Sequence, residues 1–441
     1  MLHYFTLGGE YFLYDVESSS LFEIEKIVYD VLSASPTIDV DYDAADVEEV
    51  KNELNQLQAQ GLLNANAPAN VFAGVKSKEV KALCIHMSHD CNLRCKYCFA
   101  GTGAYHGERM HMSLPVAKAS IDFLIANSGN RRNLEVDFFG GEPLMNLDVL
   151  KQTVEYAKEQ AKLHNKVFKF TTTTNGVLLD KETSDYLNEE MENVVLSLDG
   201  RKEINDFHRP TINGKGSFDI IVDKYKYFRS IRGDKSYYIR GTFTGKNPDF
   251  YDDVIAMVDL GFDQVSVEPV VLPNDHELAI KPEQVQTICE NYEKLAVEYV
   301  KRRSDEKTWF SFFHFLVDLE NGPCYKKRLV GCGAGSEYMA ITPDGSIYPC
   351  HQFAGEKEFL LGNVFDKNLD EDKRNFFRES NLTTKTICND CWAKYHCSGG
   401  CAANAVHFNG NINQPYEVAC ALMKKRLECA LYVYAKERKN G

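Results

Sequence analysis

Cys91, Cys95 and Cys98, in the run Cys91-Asn92-Leu93-Arg94-Cys95-Lys96-Tyr97-Cys98, are the residues in this chain best suited to chemistry. The spacing CxxxCxxC supplies three thiolates from one short loop. A cubic iron–sulfur cluster takes four ligands, so three cysteines leave one iron open to a small molecule. An open coordination position is what separates a reactive metal site from a closed structural one. A zinc knuckle would draw on the same residue type and is the alternative on this motif alone.

A second cysteine pattern occupies the last third of the chain. It reads Cys332-x12-Gly345-x4-Cys350, a gap, Cys388-x2-Cys391-x5-Cys397-x3-Cys401, a second gap, then Cys420, with Cys324 just upstream. Eight thiolates suffice for two further four-iron clusters. Cys388-x2-Cys391 alone would also suit a zinc ribbon. Of 14 cysteines, 11 fall in these two regions, which reads as metal or redox ligation instead of disulfide bonding. Cys84, Cys289 and Cys429 stand apart, and Cys289 shares a helical face with Val285, Ile288 and Tyr292, which suits core packing.

Between the cysteine regions, polar groups cluster where predicted strands end. Gly140-Gly141-Glu142-Pro143 brings two glycines that let backbone approach a ligand with no Cβ in the way. Thr172-Thr173-Thr174-Asn175-Gly176 and Ser197-Leu198-Asp199-Gly200 offer short hydrogen-bonding groups, although Asn-Gly and Asp-Gly are also ordinary turn formers. Arg240 can grip a carboxylate with two parallel bonds, Asp199 and Arg209 suit a substrate channel, and Glu268 closes the strand in Ser266-Val267-Glu268-Pro269-Val270.

The elements that must position these groups alternate between strand and helix from about Ala82 to Arg302. Strands are predicted at Leu83–Met87, Leu134–Phe139, Phe168–Thr173, Val194–Leu198, Tyr237–Phe243 and Gln264–Glu268, with amphipathic stretches around Val116–Ile125, Leu147–Ala161 and Phe218–Ile231. Six such units predict a parallel sheet with right-handed crossovers and functional groups at the C-terminal strand ends. Ahead of them, Tyr4–Tyr14 reads as a hairpin broken at Gly8-Gly9. Ile24, Ile27, Val28, Val31 and Leu32 then recur at helical spacing, as do Val47, Val50, Leu54 and Leu57 before Gly61. Past Cys324 the alternation stops and few long apolar runs remain, so metal clusters are expected to organise that region in place of a large apolar core.

Composition bounds the partners. The chain has 441 residues, 44% hydrophobic and 26% charged, enough for two or three domains. A net charge of −14 argues against a nucleic-acid partner, and no run approaches a membrane span. The first residues, Met1-Leu2-His3-Tyr4-Phe5, show no secretory pattern, so a cytoplasmic location is expected.

Taken together, CxxxCxxC after the first barrel strand and Gly140-Gly141-Glu142-Pro143 after the second resemble the radical S-adenosylmethionine (SAM) enzymes, and the seven-cysteine tail resembles the SPASM pattern. The resemblance implies an α/β fold: a partial (β/α)6 TIM-like barrel at 76–310 and a cysteine-rich SPASM domain at 311–441. Residues 1–75 resemble a winged-helix-like (PqqD-like) domain, which implies recognition of a precursor peptide's leader by strand addition. A packing or dimerisation appendage is the alternative there. The resemblance also implies three [4Fe-4S] clusters and SAM as cofactors. One cluster would sit on Cys91, Cys95 and Cys98, the first auxiliary cluster on Cys332, Cys350 and Cys401 with Cys324 as a possible fourth ligand, and the second on Cys388, Cys391, Cys397 and Cys420. SAM contacts carried over are Phe99, Gly140, Gly141, Glu142, Thr174, Asn175, Ser197 and Arg240, with Phe99 shielding the cluster or facing the adenine. Asp199 and Glu268 are the candidate catalytic residues. Phrases such as Arg240-Gly241-Thr242-Phe243-Thr244 and Tyr348-Pro349-Cys350-His351-Gln352-Phe353 are similar to SCIFF-peptide and ranthipeptide maturases, which install thioether bonds from cysteine sulfur to carbon in ribosomally made peptides. A reductant such as flavodoxin or ferredoxin would then be a partner. Sulfatase-type oxidation of Cys or Ser to formylglycine is the second enzymatic reading.

Overall fold

The computed structural model describes residues 1–64, 79–305, 307–320, 329–366 and 368–439. The chain opens with a three-stranded antiparallel sheet in the order β1 (Leu2–Leu7), β2 (Glu10–Asp15), β3 (Ser20–Ile24). Helices Lys26–Leu32 and Ala44–Ala59 follow. Ile24, expected to begin the first helix, is instead the last residue of β3, opposite Tyr11, and the helix starts two residues later after an extended Glu25. The short apolar stretch Leu21–Ile24 satisfies strand and helix periods alike, and pairing with β2 decides between them.

All six predicted barrel strands are present: β4 (Ala82–Ser88), β5 (Asn133–Gly140), β6 (Val167–Thr174), β7 (Asn193–Ser197), β8 (Ser236–Phe243) and β9 (Gln264–Pro269). They pair in parallel, each with its neighbour in sequence. β4 lies inside the sheet with Leu83, Ile85 and Met87 fully buried, as expected for a parallel strand covered on both faces. Each such side chain contributes about 1.5–3 kcal/mol by leaving water. Helices such as Leu114–Asn127, Leu147–His164 and Phe218–Arg232 cross between strands and cover the outside.

The sheet extends beyond these six strands. Its order is β10-β9-β8-β7-β6-β5-β4-β11-β12-β13, where β10 is Ser311–Phe312, β11 Tyr338–Ile341, β12 Ser346–Tyr348 and β13 Gly362–Asn363. The linear order leaves the barrel unclosed. β11 runs parallel to β4, with Tyr338 opposite Ala82 and Ile341 opposite Ile85. This corrects the expectation that the cysteine-rich region lacks apolar organisation, since Met339, Ala340, Ile341 and Ile347 are fully buried on the barrel's own sheet.

The long C-terminal helix Glu417–Lys439 begins near Cys420 and packs against the helix Val285–Arg303 and the first sheet. Cys429 is buried on it, and Cys289 packs partly buried against the core. Among the described residues no helix is long and apolar enough to cross a membrane.

Candidate active site and cluster-binding loops

The loop carrying Cys91, Cys95 and Cys98 leaves the C-terminal end of β4. Its entry is set by Asp90, whose carboxylate accepts from the Cys91 N–H at 2.8 Å and pairs with Arg109. Its far side is tied to the stretch after helix Lys202–His208, with Arg94 N–H on the Pro210 carbonyl at 2.7 Å and Lys96 N–H on that of His208 at 2.9 Å. The thiols are near enough to repel one another as anions, and burial pushes Cys91 up to about 12 and Cys95 up to about 11. Cys91 and Cys95 therefore become thiolates only with a cationic partner such as cluster iron. The Cys91 sulfur already accepts from Leu93 N–H at 3.4 Å and from the Asn175 side-chain amide at 3.5 Å, the kind of contact that stabilises a ligated sulfur.

Gly140 and Gly141 lie where β5 ends against this loop. A Cβ on Gly140 would collide with the Ser88 carbonyl oxygen, and one on Gly141 with that of Asp90. The glycines thus let the loop's own backbone lie against β5, with Gly141 and Glu142 N–H groups donating to Ser88 and Asp90 at 2.8 and 2.9 Å. Glu142 is buried, and its carboxylate accepts from Leu144 N–H (3.1 Å), the Thr174 hydroxyl (2.8 Å) and Asn175 N–H (2.7 Å). Burial lifts it to about 7. Glu142 and Thr174, both expected SAM contacts, bond to each other and tie the ends of β5 and β6 together. Asn175 reaches the cluster loop through Asn92 at 2.7 Å as well as Cys91.

Tyr97, which the sequence reading passed over, is the hub of the next strand ends. Its hydroxyl donates to both oxygens of buried Asp199, at 3.0 and 2.8 Å, and accepts from Arg209 at 2.8 Å. Thr242 N–H adds a bond to Asp199 at 3.0 Å, and burial raises that carboxyl to about 6. Arg209 is buried and acts electrostatically on Cys95. The visible signal was an aromatic hydroxyl between two ligand cysteines.

Ser197 ends β7 directly opposite Arg240 of β8. Arg240 is exposed and, among the described residues, forms no ion pair, while its charge reaches Asp137, Glu268 and His351. Glu268 at the end of β9 accepts from Arg426 at 2.9 Å and lies 3.3 Å from His314. Burial works to raise Glu268 and keeps His314 neutral, but the Arg426 and Arg240 guanidiniums hold the Glu268 carboxyl well below its ordinary range. Arg426 belongs to the C-terminal helix, so the mouth of the barrel faces the cysteine-rich tail across a cavity of about 290 Å³. That cavity is lined by Val270, Leu272, Ile280, Cys401, Tyr416 and Met423 among others.

The tail cysteines separate into two groups. Cys332, Cys350 and Cys401 interact electrostatically with one another, whereas Cys388, Cys391, Cys397 and Cys420 line one small cavity of about 30 Å³. Backbone N–H groups of Ala334, of Gln352 and Phe353, and of Gly399 and Gly400 point at the sulfurs of Cys332, Cys350 and Cys397. Such turns suit anionic, iron-bound sulfur. Cys324 lies outside the described residues. Among the described residues no three His, Cys, Asp or Glu side chains form a group that could hold a single metal ion. Phe99, next to Cys98 in sequence, packs with His351 (5.6 Å between ring centres), which follows Cys350, and with Tyr105 (5.9 Å).

Comparison with known proteins agrees with this geometry. Residues 85–260 match the Radical SAM superfamily, and residues 332–392 match SPASM, an iron–sulfur cluster-binding domain. The chain is 26% identical to a cysteine-type anaerobic sulfatase-maturating enzyme of Clostridium novyi (strain NT), over 74% of this chain and 89% of that one. Its fold is similar to native anSMEcpe with bound AdoMet (TM-score 0.67, 20% identity, 81% of this chain and 99% of that one). It is also similar to Streptococcus suis SuiB bound to precursor peptide SuiA (TM-score 0.56, 19% identity, 94% and 97%). The chain therefore carries a radical SAM domain on the mostly parallel sheet followed by a SPASM domain, and its cofactors are [4Fe-4S] clusters and S-adenosylmethionine.

Proposed function

We propose that the chain is a maturase of the SCIFF/ranthipeptide type, which joins a cysteine sulfur to a carbon within a ribosomally made, cysteine-rich precursor peptide. The observation that carries the reading is the three-stranded sheet ahead of the barrel, in which β3 is an edge strand packed near the C-terminal helix Glu417–Lys439, with Phe22 exposed on it. An edge strand is a ready acceptor for an extended leader peptide. Similarity to the SuiB complex with precursor peptide SuiA over 94% of this chain supports a precursor-peptide substrate.

Cys91, Cys95 and Cys98 would hold the reactive cluster, the two tail groups the auxiliary clusters, and a flavodoxin- or ferredoxin-type protein would supply electrons. When bound, cluster and SAM supply a 5′-deoxyadenosyl radical that takes hydrogen from the donor carbon. Arg240 presents a free guanidinium for the SAM carboxylate, and Ser197 beside it suits the ribose. Asp199 fixes Tyr97 and hence the cluster loop, so its part is positioning. Glu268, anionic at the barrel mouth, orients the peptide with Arg426. Holding the donor C–H and the sulfur in one place carries the selectivity, because a free radical attacks any nearby C–H.

Formylglycine formation is the second reading, favoured by the match to the Clostridium novyi enzyme over 74% of this chain. Anaerobic incubation of reconstituted protein with a cysteine-rich precursor, SAM and dithionite separates the two by mass. Thioether formation removes two hydrogens, one taken by the 5′-deoxyadenosyl radical and one lost as a proton whose electron would pass to an auxiliary cluster, and it shields the cysteine from alkylation, whereas formylglycine leaves an aldehyde. Absence of 5′-deoxyadenosine would rule out both.

A further inference from the structure

Lys385 stands out among the buried charges. Its residue is 3% exposed, and its ammonium donates to the Gly399 carbonyl at 2.8 Å. Among the described residues no carboxylate pairs with it. The Gly399 carbonyl it meets lies in the turn between Cys397 of one tail group and Cys401 of the other, and the Lys385 carbonyl accepts from the Cys388 N–H at 2.8 Å. Burial lowers the ammonium's pKa, and thiolates at Cys388, Cys397, Cys401 and Cys332 would oppose that. The reverse effect reaches Cys332, Cys388 and Cys397. An ammonium removed from water without an anionic partner is strongly disfavoured. One carbonyl does not offset that cost, whereas four-iron clusters held by three or four thiolates carry net negative charge. The cation is therefore balanced only when the tail clusters are in place.

We infer that Lys385 is a counter-cation shared by the two auxiliary clusters, which raises the reduction potential of both. Adding an electron to either cluster adds negative charge, and a fixed cation in a poorly solvated site stabilises the reduced form. Lys385 would act through the clusters, so it is a positioning and tuning residue. Its place just ahead of the helix Thr386–Asn389, which carries Cys388, fixes it to the ligand framework.

The inference rests on assigning the tail cysteines to two clusters, which iron content and cluster EPR of the wild-type protein check separately. The test is an anaerobic, EPR-monitored redox titration of wild type, Lys385→Met and Lys385→Arg, with the Cys91–Cys95–Cys98 cluster as internal reference. Lys385→Met is expected to move both auxiliary potentials negative and leave the reference unchanged, and Lys385→Arg to restore both. Loss of both auxiliary clusters in Lys385→Met with retention in Lys385→Arg leads to the same conclusion, since charge is then what the site requires. Unchanged potentials in fully loaded Lys385→Met, a shift in one auxiliary cluster alone, a shift in Lys385→Arg as large as in Lys385→Met, or iron loss in both variants would overturn it.

Discussion

Tyr97 shows how one hydroxyl ties a cluster loop to a barrel. It donates to Asp199 and accepts from Arg209, whose guanidinium is otherwise 3.7 Å from the carboxylate. Tyr97→Phe leaves both buried charges short of a bond, so unfolding free energy should fall by about 1–3 kcal/mol. Guanidinium unfolding with iron content on the same samples checks this, and an unchanged midpoint would remove the hub role. Asp137, on β5, has one buried carboxyl oxygen with no partner among the described residues and is lifted from 3.8 to about 7 by burial, with Arg240 opposing. Between those values the folded chain keeps a proton that the unfolded chain releases, so stability falls as pH rises through that window. Asp137→Asn should flatten that fall in urea midpoints measured from about pH 4 to 7. Parallel curves for variant and wild type would count against it.

At the scale of elements, the junction of β4, the cluster loop and β5 is a backbone-to-backbone contact that only glycine permits. Gly141→Ala forces a methyl group against the Asp90 carbonyl, and backbone cannot swing aside as a side chain would. The cluster at Cys91–Cys98 should then be lost severalfold while the tail clusters, held by other segments, stay loaded. Iron analysis with EPR distinguishes them. The six barrel strands were legible because doubly covered parallel strands are written as short apolar runs between turn residues. β11 was not, because Tyr338–Ile341 resembles any short apolar stretch until β4 offers it an edge.

The whole molecule couples its first sheet to its last cysteines. Between Cys391 and Cys397, Trp392 stacks on His3 at 3.7 Å, Lys394 and the Tyr395 hydroxyl reach Glu17 at 2.8 and 2.6 Å, and His396 meets the Tyr14 hydroxyl at 3.1 Å. The Glu17 and Lys394 side chains are only 5% and 12% exposed, so this is an interior contact. Glu17→Gln breaks a buried pair and should weaken docking of the first sheet by about 3 kcal/mol. Faster amide exchange across β1 and β2 would report it, and unaltered exchange would mean that the sheet docks without this pair. A leader peptide held on that sheet would thus sit one contact layer from a proposed cluster ligand.

What the sequence determined by itself was the ligand inventory and the alternating strands, because thiol spacing and apolar period are local properties of the chain. That Glu142 faces Thr174, that Tyr97 finds Asp199, and that Lys385 lies buried among the tail cysteines were decided only in three dimensions. Each of those relations joins segments far apart in the chain, and burial, which sets their energies, does not exist until the sheet and helices have closed around them.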